Sequence, residues 1–177
     1  VNIVTAVALN MTAATRLPDE REFGHAEPAG ADPRIHLLVT AGTLGVIVLG
    51  TALLLGADWG DPVAVATLVL AAAVSATGIA LLAVAFTRTE EQAGSAVAVV
   101  TMTLAVLGGS FFPANQGPEL MSQLSVMTPH AWFLQGVNDA ASGGDVASVA
   151  GSVVVLLVMG LVTGTLGFVR VRRLVLT

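Results

Sequence analysis

Three histidines are the side chains of this sequence best suited to acid–base or metal chemistry. His25, His36 and His130 are widely separated, and no cysteine is present to complete a metal site or form a disulfide. The patterns HExxH, GxSxG and GxxxxGKS/T, which mark zinc hydrolases, serine hydrolases and phosphate-binding loops, are absent as well. The residues therefore predict no enzyme activity, no metal, no cofactor and no nucleotide site in this chain.

The composition indicates a chain surrounded by lipid rather than by water. Hydrophobic residues make up 55% of the 177 residues and charged residues only 11%, whereas soluble domains hold about 45–50% apolar and about 25% charged residues. Basic runs are absent and aromatic residues reach only 5%, which argues against a nucleic-acid partner. The lipid bilayer is therefore the predicted surrounding of the protein.

Long stretches without a charged residue predict helices that cross the bilayer. A hydrocarbon core about 30 Å thick requires roughly 20 helical residues. Four stretches have this length: residues 35–56, 62–86, 94–112 and 147–169. Buried helices of a soluble core are the alternative, but these seldom run so far without a charge. The apolar segment at residues 1–14 is too short to cross alone, and we expect the end of a truncated helix or an interfacial segment.

All positive charge falls in alternate connections between these spans. There is no lysine, and the basic residues are Arg16, Arg21, Arg34, Arg88, Arg170, Arg172 and Arg173. The connections at residues 57–61 and 113–146 carry acidic residues instead. Because short loops rich in arginine stay in the cytoplasm, four crossings predict that every arginine, and the C-terminus, lies on the cytoplasmic side.

The connection at residues 113–146 is long enough to form structure of its own. Residues 119–127 and 130–138 have apolar side chains at helical spacing, which predicts a re-entrant extracellular cap of short helices. The predicted fold is an all-α, multi-pass transmembrane bundle with four full spans, a partial N-terminal helix and this cap between the last two spans. Residues 1–34 form the partial helix and a cytoplasmic loop, and residues 35–177 form the transmembrane domain.

Glycines in the last span predict a close helix contact. Gly160 and Gly164 form a GxxxG pattern, and Gly167 follows one turn later. Such spacing lets two helix backbones approach closely in a membrane. The sequence leaves open whether the partner helix belongs to the same chain, which we favour, or to a second copy.

Four segments resemble one family in their order and spacing. They read DWGDP at 58–62, FTRTEEQAG at 86–94, LGGSFFP at 107–113 and MTPHAWFLQG at 127–136. Together they are similar to the permease subunits of type-2 ABC exporters, the ABC-2 family, over roughly residues 36–173. The outer part of this resemblance rests on Gly108, Gly109, Phe111, Phe112, Pro113, Thr128, Pro129, His130, Trp132 and Gly136.

The resemblance implies the C-terminal part of a six-helix permease of a bacterial plasma membrane, truncated within its second helix, whose end would be residues 1–14. The implied function is outward movement of a drug or lipid-like substrate. A separate ATP-binding cassette subunit would hydrolyse ATP, and a second permease copy would complete the transporter. The loop at residues 15–34 would contact the ATPase subunit through Arg16, Glu20, Arg21 and Glu22.

One segment departs from the family pattern. Residues 25–34 read HAEPAGADPR, where the family has apolar and basic residues. Since this departure lies in the implied coupling loop, the alternative is a truncated or degenerate permease remnant, or a small membrane scaffold, without transport activity.

Overall fold

The structure consists of helices joined mostly by short turns. The computed structural model describes residues 33–87, 89–111 and 119–175, and within these ranges it contains no β-strand. The helices are α1 (Pro33–Leu55), α2 (Pro62–Val84), α3 (Glu90–Leu107), α4 (Glu119–Ser125), α5 (Pro129–Ala141) and α6 (Val146–Val175). The predicted all-α fold is confirmed. The partial helix predicted at residues 1–14 lies outside the described residues.

Three helices, α1, α2 and α6, are long and apolar enough to cross a membrane. Helix α3, which corresponds to the stretch at residues 94–112, has 18 residues and is a shorter apolar helix. At about 1.5 Å per residue it is roughly 27 Å long, close to the thickness of a hydrocarbon core. Large apolar side chains face outward along the helices, and Leu54 of α1 is 84% exposed. An exposed apolar surface of this extent marks contact with lipid or protein, so the chain is a multi-pass membrane protein.

Helix α2 lies at the centre of the bundle, in contact with α1, α3, α5 and α6. Its side chains Ala64, Leu68 and Ala73 are completely buried. Leu68 belongs to a core that also contains Phe133 of α5 and Leu156 of α6. The chain thus builds one core along α2 and leaves the outer faces of α1, α3 and α6 apolar.

Helices α2 and α6 run parallel and approach each other through glycines. A Cβ at Gly78 would overlap the carbonyl of Gly160, and a Cβ at Gly160 would lie 2.7 Å from the carbonyl of Val74. Farther along, a Cβ at Gly167 would lie 2.8 Å from the backbone of Leu81. We call Gly78, Gly160, Gly164 and Gly167 the glycine seam. The partner of the predicted GxxxG pattern is therefore a helix of the same chain.

Helix α3 begins earlier than the uncharged stretch that predicted it, because a side chain caps its first turn. Thr89 accepts a hydrogen bond at 3.2 Å from the backbone N–H of Gln92. The sequence Thr-Glu-Glu-Gln has the pattern of a capping box, and Glu91 in the first turn suits the positive end of the helix dipole. These interactions extend the helix four residues before Gly94, to Glu90.

Helix α3 also ends earlier than expected, because Gly109 has a φ of 81°. Glycine adopts this left-handed conformation without the steric cost of a side chain. The N–H of Ser110 donates to the Ala105 carbonyl at 3.0 Å, and the N–H of Gly109 donates to that of Val106 at 3.4 Å. This pair of bonds is a Schellman motif, which ends the helix at Leu107 and turns the chain away.

The arginines of the described residues meet at one end of the bundle, which we call the arginine end. A surface groove is lined by both Arg34, at the start of α1, and Leu81, near the end of α2. Arg170, near the end of α6, donates from Nε to the carbonyl of Ala85 at 3.1 Å. Its guanidinium carbon also lies 4.3 Å from the centre of the Phe86 ring. Arg170 therefore satisfies a free carbonyl at the C-terminus of α2, where a positive charge is favourable.

The glycine seam predicts a strong position dependence of glycine-to-alanine changes in α6. Gly160→Ala places a methyl group against the backbone of Val74 and Ser75, so we expect a loss of about 1–3 kcal/mol in stability. Gly151→Ala is the matched control, because a Cβ there meets nothing within 4 Å. Thermal unfolding of the purified protein in detergent measures both. Equal midpoints for the two variants would contradict the close contact of α2 with α6.

Candidate functional site

The candidate site lies at the opposite end from the arginines, where α4 and α5 cover the ends of the long helices. Besides these short helices it includes the α1–α2 turn at residues 56–61 and the α5–α6 turn at residues 142–145. We call this region the cap. It contains most of the described residues of the family-like extracellular motif. It also corresponds to the short helices predicted between the last two spans.

Helix α5 begins where the sequence pattern Thr-Pro predicts a helix start. Thr128 accepts a hydrogen bond at 3.4 Å from the N–H of Ala131, and its hydroxyl donates to the Ser125 carbonyl at 2.8 Å. Pro129 occupies the first helical position, where its missing N–H costs nothing. One buried threonine thus ends α4, begins α5 and fixes the angle between them.

The end of α3 packs directly against this helix start. A Cβ at Gly108 would lie 2.5 Å from the Cβ of His130 and 2.6 Å from the Thr128 hydroxyl. Since such distances leave no room for a side chain, glycine is required for this approach. Gly108-Gly109 and Thr128-Pro129-His130 therefore meet in space, although Thr128 follows Gly108 by 20 positions in the sequence.

Trp132 and Gly136, which also belong to the MTPHAWFLQG segment, attach α5 to its neighbours. Trp132 donates from its indole Nε1 to the carbonyl of Val126 at 2.7 Å, which holds the segment between α4 and α5. A Cβ at Gly136 would overlap the side chain of Leu68 on α2 and lie 3.1 Å from Ser152 on α6. Gly136 is thus the point at which α5 enters the core between α2 and α6.

The DWGDP segment forms a compact α1–α2 turn in which each polar side chain has a structural partner. Asp58 accepts the N–H of Gly60 at 2.9 Å, and Asp61 accepts that of Val63 at 3.0 Å as the N-cap of α2. Trp59 donates from Nε1 to the Thr51 hydroxyl at 3.1 Å. Gly60 has a φ of 81°, a conformation that glycine adopts readily.

The same turn rests on the far end of α5. A Cβ at Gly60 would overlap the carbonyl of Ala140. Helix α5 ends there in a second Schellman motif, because Gly143 has a φ of 87° and Gly144 donates to the Asp139 carbonyl at 3.0 Å. The α1–α2 turn and α5 are therefore held in contact through backbone atoms.

Asp145 connects the cap to α6. Its Oδ1 accepts the backbone N–H of Ser148 at 3.0 Å and the Ser148 hydroxyl at 2.9 Å. These hydrogen bonds hold the pKa of the exposed Asp145 carboxyl below its usual range. Sequence reasoning missed Asp145 as a cap, although an Asp after two glycines and before an apolar run is a helix-start signal.

His130 is the titratable group at the centre of the cap. Burial lowers the pKa of His130 to about 4, because a desolvated imidazole is less stable with a charge. Its Nδ1 is buried and has no hydrogen-bond partner among the described residues. The side chain is therefore neutral at physiological pH, and its Cβ lies against Gly108 at the end of α3.

The structure describes most, but not all, of the predicted site residues. Gly108, Thr128 and His130 form one contact, while Trp132 and Gly136 lie farther along α5. Phe111 is 40% exposed beyond the end of α3. The remaining predicted residues lie outside the described ranges: Phe112, Pro113, Arg16, Glu20, Arg21 and Glu22.

The polar side chains of the cap are used mainly to cap helices. In the part of the chain that the structure describes, no group of three or more His, Asp or Glu side chains is placed to hold a metal ion. The carboxylates of Asp58, Asp61 and Asp145 are engaged in capping backbone N–H groups. The cap thus fixes the ends of four helices at one membrane surface.

The hydroxyl of Thr128 provides a direct test of this junction. Thr128→Val removes the group that caps α5 and bonds to Ser125, so we expect about 1 kcal/mol less stability. Thr128→Ser keeps the hydroxyl and should retain most of the stability. Thermal unfolding in detergent compares the two variants with the parent. Equal losses in both would show that the hydroxyl does not hold the junction.

Burial of His130 predicts a dependence of stability on pH. Its folded pKa of about 4 lies below the unfolded value near 6.5, so the unfolded state binds the proton more readily. Stability is complete above about pH 6.5 and falls as the pH drops toward 4, on the order of 2 kcal/mol at pH 5. The contribution of Asp145 is lost only below about pH 4.

Unfolding midpoints between pH 8 and pH 5 measure this effect. His130→Leu should flatten the decline between pH 6.5 and 5. An unchanged slope in His130→Leu would contradict the burial of a neutral imidazole.

The comparisons with known proteins agree on a membrane transporter. A family model described as ABC-2 family transporter protein matches residues 35–169. The chain is also 28% identical, over 129 residues, to the linearmycin resistance permease protein LnrN of Bacillus subtilis (strain 168). That similarity covers 72% of this chain and 34% of the relative, so the chain spans about a third of the relative's length. No solved structure matches.

Proposed function

Because this chain belongs to the ABC-2 transporter family, we propose that it forms the membrane-spanning permease part of an ATP-driven exporter. The observation that carries the proposal is the family match over residues 35–169, which covers all three long apolar helices nearly completely. Family membership also confirms the predicted resemblance to the ABC-2 family. The chain has no GxxxxGKS/T sequence, so ATP hydrolysis is assigned to a separate ATP-binding cassette subunit.

The proposed orientation places the arginine end in the cytoplasm and the cap outside. Its support is the position of the described arginines, which lie at one end of the bundle. Arg34 and Arg170 lie at one end, whereas Asp58, Asp61 and Asp145 lie in the turns of the cap. Positive residues in short loops favour the cytoplasmic side. With α3 as a fourth crossing, the C-terminus then lies in the cytoplasm.

The proposed mechanism uses the unequal packing of the helices. Helices α2 and α6 touch through backbone along the glycine seam, so they transmit a displacement as one unit. Helix α3 contacts α2 through a small cluster of Val97, Ala80 and Ala83. Nucleotide binding by the partner would push the loop at residues 15–34, tilt these units and open a path beside a second permease copy.

The proposed substrate is an amphiphilic, drug-like or lipid-like molecule that moves outward. The relative is named as a permease for linearmycin resistance, which makes a toxic compound the first class to test. The exposed apolar faces of α1, α3 and α6, which include Val46, Val99 and Leu161, offer the diffuse apolar surface that such a molecule requires.

Co-purification tests the proposed partner. The chain is expressed with the ATP-binding cassette subunit of a neighbouring gene, and the subunit is expected to co-purify with it. Arg21→Glu in the proposed coupling loop should reduce the recovered ATPase several-fold at equal permease abundance. Arg172→Glu is the matched control, because it reverses a charge at the same end outside that loop.

Susceptibility of the expressing cells tests the proposed activity. Cells that contain both subunits should tolerate more of an amphiphilic antibiotic, and the gain should vanish when the ATPase cannot hydrolyse ATP. Absence of both co-purification and protection would overturn the proposal in favour of a permease remnant or a membrane scaffold.

A further inference from the structure

Helix α3 ends well short of the level at which its antiparallel neighbour α2 begins. Val97 of α3 packs with Ala80 of α2 in a small buried cluster. From Val97, α3 continues for about 15 Å to its last residue, Leu107. From Ala80, α2 extends about 27 Å in the same direction to its first residue, Pro62. The end of α3 therefore lies about 12 Å closer to the arginine end than Pro62 does.

Helix α5 begins at this inner level and rises to the surface of the cap. Gly108, directly after α3, contacts Thr128 and His130 at the start of α5. The other end of α5 meets the α1–α2 turn, where a Cβ at Gly60 would overlap the carbonyl of Ala140. With 13 residues, α5 is about 20 Å long, so it spans the distance between the two levels. The junction between α4 and α5 thus lies below the outer ends of the long helices.

The charge pattern of this segment is suited to such a depth. Residues 120–138 contain no Asp, Glu, Lys or Arg, and Glu119 and Asp139 flank them. A charged side chain within the bilayer is costly, so charges are expected at the ends of a segment that dips into it. The α4–α5 junction lies near the middle of this uncharged stretch.

The backbone of the junction finds its partners within the segment. The Ser125 hydroxyl donates to the Ser122 carbonyl at 2.8 Å, and the Thr128 hydroxyl donates to the Ser125 carbonyl at 2.8 Å. The indole of Trp132 donates to the Val126 carbonyl at 2.7 Å. Because hydrocarbon offers no water to a free carbonyl, side-chain donors of this kind permit the chain to turn inside a bilayer.

Helix α4 turns apolar side chains outward and polar ones inward. Leu120 is 66% exposed, Leu124 37% and Met127 71%, and they form one stripe because they follow each other at helical spacing. We call these three residues the α4 face. Ser125 and Thr128 are buried. A short helix at a water surface would show the reverse pattern, so the α4 face requires apolar surroundings.

We propose that the α4 face contacts phospholipid acyl chains in the leaflet at the cap end, with Met127 about 12 Å inside the level of Pro62. Continuity favours lipid over a protein partner. Helix α4 packs against α3, whose last turns expose Met102 and Val106, so the apolar outer surface of the bundle extends onto the cap. The proposal requires only that the chain lies in a membrane, so it does not depend on transport or on an ATPase partner.

The depth of single spin labels in proteoliposomes tests the proposal. The chain has no cysteine, so Met127→Cys introduces one site of labelling. The references are Leu70→Cys and Val63→Cys, both at exposed positions of α2. Leu70 lies about 12 Å inward of Pro62, while Val63 lies in the first turn. Collisions with oxygen, which concentrates in hydrocarbon, are compared with collisions with a water-soluble nickel chelate. The oxygen-to-nickel ratio at Met127 should match that at Leu70 and exceed that at Val63 several-fold.

Tryptophan fluorescence provides a second measurement that leaves α4 unchanged. The sequence has two tryptophans, so Trp59→Phe leaves Trp132, which bonds to the junction, as the single emitter. Phospholipids with bromine deep in the acyl chain should quench this emission more strongly than phospholipids with bromine near the ester. Circular dichroism of each variant confirms that the helices are retained.

Three results would overturn the proposal. An oxygen-to-nickel ratio at Met127 equal to that at Val63 would place the α4 face at the water surface. Stronger quenching of Trp132 by shallow bromine would place the junction there as well. A label at Met127 that neither reagent reaches would show that protein covers the face. Spectral broadening that disappears on dilution with unlabelled chain would then identify a second copy as the occupant.

Discussion

The close approach of α2 and α6 is the contact on which the rest of the bundle depends. In a membrane no hydrophobic effect drives helices together, because lipid tails are as apolar as leucine. Dispersion contacts between well-packed atoms must supply the attraction, and they weaken steeply with distance. Gly78, Gly160 and Gly167 bring the two backbones into contact. Helices α1, α3 and α5 then pack around this pair, and its arginine end also creates the groove beside Arg34.

A second constraint acts at the cap end, where helices must stop and backbone groups must find partners. Gly109 and Gly143 end α3 and α5 in Schellman motifs, and Asp61 and Asp145 begin α2 and α6. Because unpaired backbone groups are costly near hydrocarbon, these helix caps determine where the chain turns. The family-like segments at the cap thus have structural roles, and the proposed permease function depends on the helices that they hold in place.

The sequence predicted the all-α fold, the long apolar helices and the cap, since charge, hydropathy and turn residues act locally. The predicted bounds of α3, residues 94–112, begin and end a few residues after the observed helix. The absence of charge does not reveal that Thr89 caps the start of the helix or that Gly109 ends it in a left-handed conformation. The seam partner Gly78 and the Arg170–Ala85 bond join residues far apart in the chain. No local pattern encodes such pairs, so they required the three-dimensional structure.

The central claim, that α2 and α6 form one rigid unit to which α3 is loosely attached, is tested most directly by distances between spin labels in a bilayer. The chain has no cysteine, so pairs of cysteines can be introduced at the exposed positions Leu70 of α2, Leu161 of α6 and Val99 of α3. The account predicts a narrow, single distribution for the 70–161 pair and a broader one for the 70–99 pair. A broad or two-peaked distribution for the 70–161 pair would contradict it.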